Sequence, residues 1–114
     1  MDVQQTRRLG RHYGRAWRHD PWAFARQLGA DVHLVDEEGM RATAPSTAPA
    51  PGRYIAARVF LEDAFGDRPQ VYVLSTMSRE DRRLAVAHEC GHISYPNERE
   101  ECIHAWAEAF VAQR

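Results

Sequence analysis

Ser78-Arg79-Glu80-Asp81-Arg82-Arg83-Leu84-Ala85-Val86-Ala87-His88-Glu89-Cys90-Gly91-His92 is the stretch on which the reading of this chain turns. It opens with a capping-box pattern, Ser78 to Asp81, and runs through strong helix formers into an H-E-x-x-H pentapeptide. Residues i and i+4 of a helix share a face, so His88 and His92 can offer two imidazoles to one metal ion. Glu89 stands one residue round, near the open coordination position of a water, and is the candidate general base. The same pentapeptide also arises as a plain surface pair of histidines. The capped helix around this one favours the metal site.

Working outward, the last two helical stretches are expected at about 78–94 and 98–113, separated by Tyr95-Pro96-Asn97. A basic helix is expected over 4–18, with Leu9, Tyr13 and Trp17 as a narrow apolar stripe. Asp20-Pro21-Trp22 reads as a helix start that runs to about Leu28, with Gly29 as its stop. Asp31-Val32-His33-Leu34-Val35 alternates like a short strand. Residues 39–52 contain Ala-Pro-Ser-Thr-Ala-Pro-Ala-Pro and read as a Pro/Ala-rich loop. Strands are expected over Arg53–Leu61 and Val71–Leu74, with Phe65–Pro69 as the turn between them. The order ααβββαα predicts one α+β domain over 1–114. In it, a small antiparallel or mixed three-stranded sheet packs against helices. The H-E-x-x-H helix and a following antiparallel helix form the metal site.

At 114 residues the chain is long enough for one modest core and too short for two. Its 44% apolar and 27% charged content is that of an ordinary folded protein. No apolar run approaches the roughly 20 residues that span a bilayer, and Met1-Asp2-Val3-Gln4-Gln5 is no signal peptide, so a cytoplasmic protein without membrane contact is expected. In a reducing cytosol Cys90 and Cys102 are expected as free thiols, Cys90 within the core. Gly91 costs about 1 kcal/mol relative to alanine inside a helix, which predicts a packing reason there, such as close approach of a strand or a substrate. All 15 lysine-plus-arginine residues are arginine, and the formal net charge is -1. Arg7, Arg8, Arg11, Arg15 and Arg18 crowd the first helix. A solvated face balanced by Glu98–Glu101 or by Asp36–Glu38 is the expectation for them, and direct nucleic-acid binding is not.

A catalytic zinc usually takes three protein ligands and leaves a place for water. After His92 the chain offers Glu98, Glu100, Glu101 and His104. Ile103, Ala107 and Phe110 with Trp106 make the apolar stripe of the last helix, and Glu100 falls in line with it while Glu101 sits about 100° away. Glu100 is therefore the first choice. Two alternatives stand beside it. Asn97-Glu98-Arg99-Glu100 is itself a capping-box pattern, in which Glu100 would only bond back to Asn97. Glu101 or His104 could take the third place instead, or His104 could hydrogen-bond to a ligand.

With these residues in view, the chain resembles the ImmA/IrrE family of metallopeptidases over most of its length. Val71–His92 follows the family's short strand, capped helix start and A-H-E-x-G-H core. Asp20–Val32 is similar to its opening helix, glycine stop and first strand. Glu100-Glu101-Cys102-Ile103-His104-Ala105-Trp106-Ala107 matches E-x-x-A-x-x-[FW]-A, with Ile103 at the usual alanine, and so favours Glu100 as third ligand. Two departures stand out: a shorter link between His92 and Glu100, and an end at Arg114 soon after the metal helix. The resemblance implies a zinc-dependent endopeptidase that cleaves or inactivates a helix-turn-helix transcriptional repressor in a stress-response or mobile-element switch. In that mechanism Glu89 takes the proton of a zinc-polarised water, and Tyr95, His104 or Arg99 is a candidate helper for the oxyanion. The alternative reading is a non-catalytic zinc-fold module that sequesters a repressor or toxin partner. A third is a DNA-binding accessory protein led by the basic helix.

Overall fold

The computed structural model describes residues 1–42, 57–60 and 68–112. Its elements are α1 (Val3–Ala16), α2 (Pro21–Gln27), β1 (Asp31–Val35), α3 (Glu37–Ala42), β2 (Ala57–Phe60), β3 (Gln70–Leu74), α4 (Arg79–Ser94) and α5 (Glu100–Val111). This is an α+β chain. None of the described helices is long and apolar enough to cross a membrane. Most of the Pro/Ala-rich stretch, residues 53–56 and 61 of the expected second strand, and Phe65–Asp67 of the expected turn lie outside the described residues.

β1 pairs parallel with β3 in the register Asp31 with Gln70 to Val35 with Leu74, and β2 pairs antiparallel with the other side of β3. A parallel pair requires a crossover, and α3 with the residues after it lies in that connection. α3 is not expected from the sequence, and its residues 39–42 fall in the stretch read as loop. Asp36 starts it by accepting the Gly39 N–H at 2.7 Å, Glu37 and Glu38 sit in its first turn, and Met40 is buried. A glycine within six residues, next to proline-rich sequence, hides such a helix from periodicity. Capping and one buried methionine hold it.

Each flanking helix starts where a side chain satisfies free backbone N–H groups. Asp2 and Gln5 form a reciprocal capping box at α1, Asp20 accepts from Trp22 and Ala23 at α2, and Ser78 accepts from Asp81 at α4. The Asn97 cap does not form. Arg99 is the N-cap of α5 and gives no side-chain cap, so Glu100 is the first helical residue and is left for other work.

The core is built where α2, α4, α5 and β3 meet. Val71, Val73, Val86, Ala87, Cys90, Trp106, Ala107 and Phe110 are all fully shielded from solvent. Phe24 stacks obliquely on Trp106 and Phe110 with ring centroids 5.8 and 5.4 Å away. Burying an aliphatic or aromatic side chain of this kind is worth about 1.5–3 kcal/mol, so this cluster dominates the fold's stability. α1 closes over α5 on three small residues one turn apart, Thr6, Gly10 and Gly14. Along α4, residues 83, 88 and 92 meet residues 111, 104 and 100 of α5, so the last helix doubles back on the helix before it.

Candidate metal centre

α4 buries Val86, Ala87, Cys90 and Gly91 against the core, and that fixes its rotation about its own axis. His88 and His92, one turn apart, then fall on the edge of the buried face. Their side chains are partly shielded, at 19% and 27% exposure. Their Nε2 atoms lie 3.1 Å apart.

Glu100 meets them from the first turn of α5. One carboxylate oxygen contacts His88 Nε2 and the other lies 3.1 Å from His92 Nε2. The ligand atoms of His88, His92 and Glu100 all lie within 4.8 Å of one another, and this group can hold a metal ion. Atoms about 2.0–2.1 Å from a zinc ion in a tetrahedron stand about 3.3 Å from each other, close to the 3.1 Å of the His88–His92 and His92–Glu100 pairs, while the His88–Glu100 contact is closer than that. The donor chemistry fits too. Two imidazole nitrogens and a carboxylate converge with more lone pairs than protons, which a cation satisfies and a hydrogen bond between histidines does not.

The electrostatics keep these side chains in the states a cation needs. Burial holds the His88 pKa below its ordinary 6.5, although the neighbouring Glu100 works against that, so His88 is a neutral imidazole at neutral pH. Burial works to raise Glu100, but the charges and hydrogen bonds of His88 and His92 outweigh it and hold its carboxyl below the ordinary 4.5. Glu89 behaves in the opposite way. It is 7% exposed, and burial together with the Glu100 carboxylate pushes its pKa up to about 7. No hydrogen bond among the described residues engages its carboxyl. A carboxyl poised near neutrality can both take and return a proton.

The other candidates are placed elsewhere. Glu101 pairs with Arg99 at 2.5 Å on the exposed side of α5, and Arg99 also reaches Cys102 Sγ at 3.8 Å. His104 has its ring centroid 6.0 Å from that of His88, but its Nε2 is engaged by Glu108 at 3.0 Å. Tyr95 packs edge-on against Trp106 at 6.1 Å. Burial and Tyr13 raise its pKa while the Trp106 N–H lowers it, yet that N–H falls short of hydrogen-bond geometry, the one buried side-chain polar atom so left among the described residues. These contacts draw Tyr95 towards α1 and α5.

Gly91 has a packing reason, and it is neither a strand nor a substrate. A Cβ there would stand 3.0 Å from Ile103 Cγ2 and 3.3 Å from Trp106 Cε3, so the glycine lets α5 lie close to α4. That closeness is what brings Glu100 within reach of the histidines. Cys90 is a buried free thiol whose pKa burial pushes up to about 12, the mark of an inert core cysteine. A contact that sequence reasoning missed is Arg83, which donates to the His19 carbonyl at 2.7 Å and ties α4 to the turn after α1. Its signal, an arginine on the half-buried side of a helix, is too common to read.

Comparison with known protein families, with curated proteins and with solved structures gives no match to this chain.

Proposed function

We propose that this chain is a zinc-dependent endopeptidase of the ImmA/IrrE kind, acting on a helix-turn-helix repressor in the cytoplasm. One observation carries the reading: His88 Nε2, His92 Nε2 and the Glu100 carboxylate converge at metal-ligand spacing beside a buried Glu89. The resemblance of Val71–His92 and Glu100–Ala107 to that family supplies the substrate class. Bound to the three ligands, zinc would supply Lewis-acid polarisation of a water and of the scissile carbonyl.

The chain's own residues do the rest. His88 and Glu100 are held neutral and anionic respectively, ready as ligands. Glu89 removes a proton from the attacking water and delivers it to the leaving amine; burial lifts its pKa to about 7 in the metal-free chain, and bound zinc would draw it back towards the carboxylate form that accepts the proton.

The test is elemental analysis of the purified chain together with cleavage of a quenched-fluorescent peptide library. Wild type should carry about one zinc and cleave. Glu89→Gln should keep the zinc and lose cleavage by about 100-fold or more. Zinc without cleavage in wild type, with the cellular effect kept in Glu89→Gln, would replace the peptidase by a zinc-fold binding module. A wild type that takes up no zinc would remove both.

A further inference from the structure

The arginines of α1 are expected from sequence to form a solvated face, with the acidic runs at 36–38 and 98–101 to balance it; the face is exposed, but no ion pair among the described residues joins it to either run. Glu98 pairs with the Met1 amino group at 3.0 Å, Glu100 with the two histidines and Glu101 with Arg99. Asp36 caps α3. No described carboxylate forms an ion pair with Arg7, Arg8, Arg11 or Arg15, and all four are exposed. At 100° per residue they occupy one arc of about 100°, and Arg7 to Arg15 spans about 12 Å of helix. α1 holds no acidic residue in its first turn, and Gln4 and His12 are its other exposed polar side chains around that arc. Thr6, Gly10 and Gly14 anchor an adjoining stripe of the helix on α5, centred about 110° round from the arginines, and the arginine arc is left exposed on a firmly seated helix.

We infer that this face of α1 binds the phosphate backbone of duplex DNA, without sequence preference. Charge and shape argue for that partner over an acidic protein. A protein interface needs an apolar centre from which water is excluded. The large hydrophobic side chains exposed among the described residues are Met1 and Leu34, and neither lies in the arginine arc. A polyphosphate needs no such centre, because guanidinium groups grip phosphate oxygens through paired N–H donors. A helix with side chains is about 10–12 Å across and matches the roughly 12 Å width of a major groove, whose two walls are phosphate. The proposal is independent of the metal centre. It would hold a peptidase, or a binding module, close to a repressor seated on its operator.

The experiment is fluorescence anisotropy of the full chain with a labelled 20-base-pair duplex of arbitrary sequence, titrated in a salt series. Four phosphate contacts predict a slope of log K against log salt of about -3.6, hence roughly a 100-fold loss between 50 and 200 mM salt. Arg7→Gln/Arg11→Gln should lower the slope by about 1.8 and weaken binding at low salt. The control Arg26→Gln/Arg79→Gln removes the same charge from exposed positions elsewhere and should leave binding unchanged. Unchanged circular dichroism in both pairs checks the fold. Absence of wild-type binding at 25 mM salt overturns the assignment, as does equal loss in the two pairs. Displacement of the duplex by polyglutamate at matched charge would give the face to an acidic protein partner instead.

Discussion

His88 and His92 turn their Nε2 atoms towards each other across 3.1 Å, and Glu100 reaches both from the next helix. The first turn of α5 supplies the anion and the last two turns of α4 supply the imidazoles. Without a cation the two nitrogens compete for one carboxylate. With one, each donates a lone pair.

Zinc should therefore stabilise the fold. An ion that binds only the native state adds RT ln(1 + [L]/Kd), about 4 kcal/mol at a thousandfold excess over Kd. In a chain of this length that raises the melting temperature by roughly 10 °C or more. Differential scanning fluorimetry with and without chelator should show the rise in wild type and none in His88→Ala. An unchanged wild-type melting curve would count against the site.

Removing the rivals should be harmless. Glu101→Ala loses only an exposed pair with Arg99, worth about 0–1 kcal/mol, and keeps full zinc stoichiometry. His104→Ala keeps the metal as well, since its Nε2 faces Glu108. Glu100→Ala should cut zinc occupancy sharply. Occupancy that survives in Glu100→Ala and falls in His104→Ala would reassign the third ligand.

The helices that carry the centre were legible because their signals are local. Ser78, the run to Ala87 and the i, i+4 histidines describe α4 without help from the rest of the chain. Periodicity puts Glu100 in line with the apolar stripe of α5, but the residue is exposed, and its place in the first turn of α5 rather than a buried stripe sets its position. The balance of the α1 arginines, the α3 helix and the packing partner of Gly91 are not legible. Each depends on which distant residue lies opposite, and composition cannot encode that. Asn97 shows the converse: its capping pattern is present, yet α5 starts at Glu100.

The buried Glu89 predicts a pH dependence in the metal-free protein. Its folded pKa of about 7 exceeds its ordinary 4.5, so between those values the folded state binds the proton more tightly. Its contribution to stability is greatest below 4.5 and falls as pH rises through 7, by about 3 kcal/mol at most. His88 has the opposite sign, because its lowered pKa removes stability as pH falls below 6.5. The comparison of wild type with Glu89→Gln separates them. Urea midpoints at pH 5, 6, 7 and 8 in chelator should show Glu89→Gln gaining on wild type as pH rises. Parallel pH profiles for the two proteins would show that Glu89 is not strained by burial.

Three glycines test how the helices are spaced. Alanine in place of glycine inside a helix ordinarily gains about 1 kcal/mol. At Gly14 the new methyl would stand 2.5 Å from the Phe110 carbonyl oxygen, and at Gly10 it would meet the Trp106 carbonyl and stand 2.9 Å from Ala109 Cβ. Backbone does not yield as a side chain does, so α1 must lift from α5. Gly10→Ala and Gly14→Ala should each destabilise by about 1–3 kcal/mol in spite of the propensity gain. Zinc affinity should not change, because α1 supplies no ligand. Gly91→Ala presses on Ile103 and Trp106 side chains that have almost no free surface, and the same push moves α5 away from α4. Its stability should shift less, while zinc binding weakens as Glu100 is drawn from His88 and His92. Urea unfolding beside zinc titration distinguishes the two effects. A stabilised Gly10→Ala would mean that α1 does not approach α5 so closely, and unchanged zinc affinity in Gly91→Ala would uncouple that glycine from the metal centre.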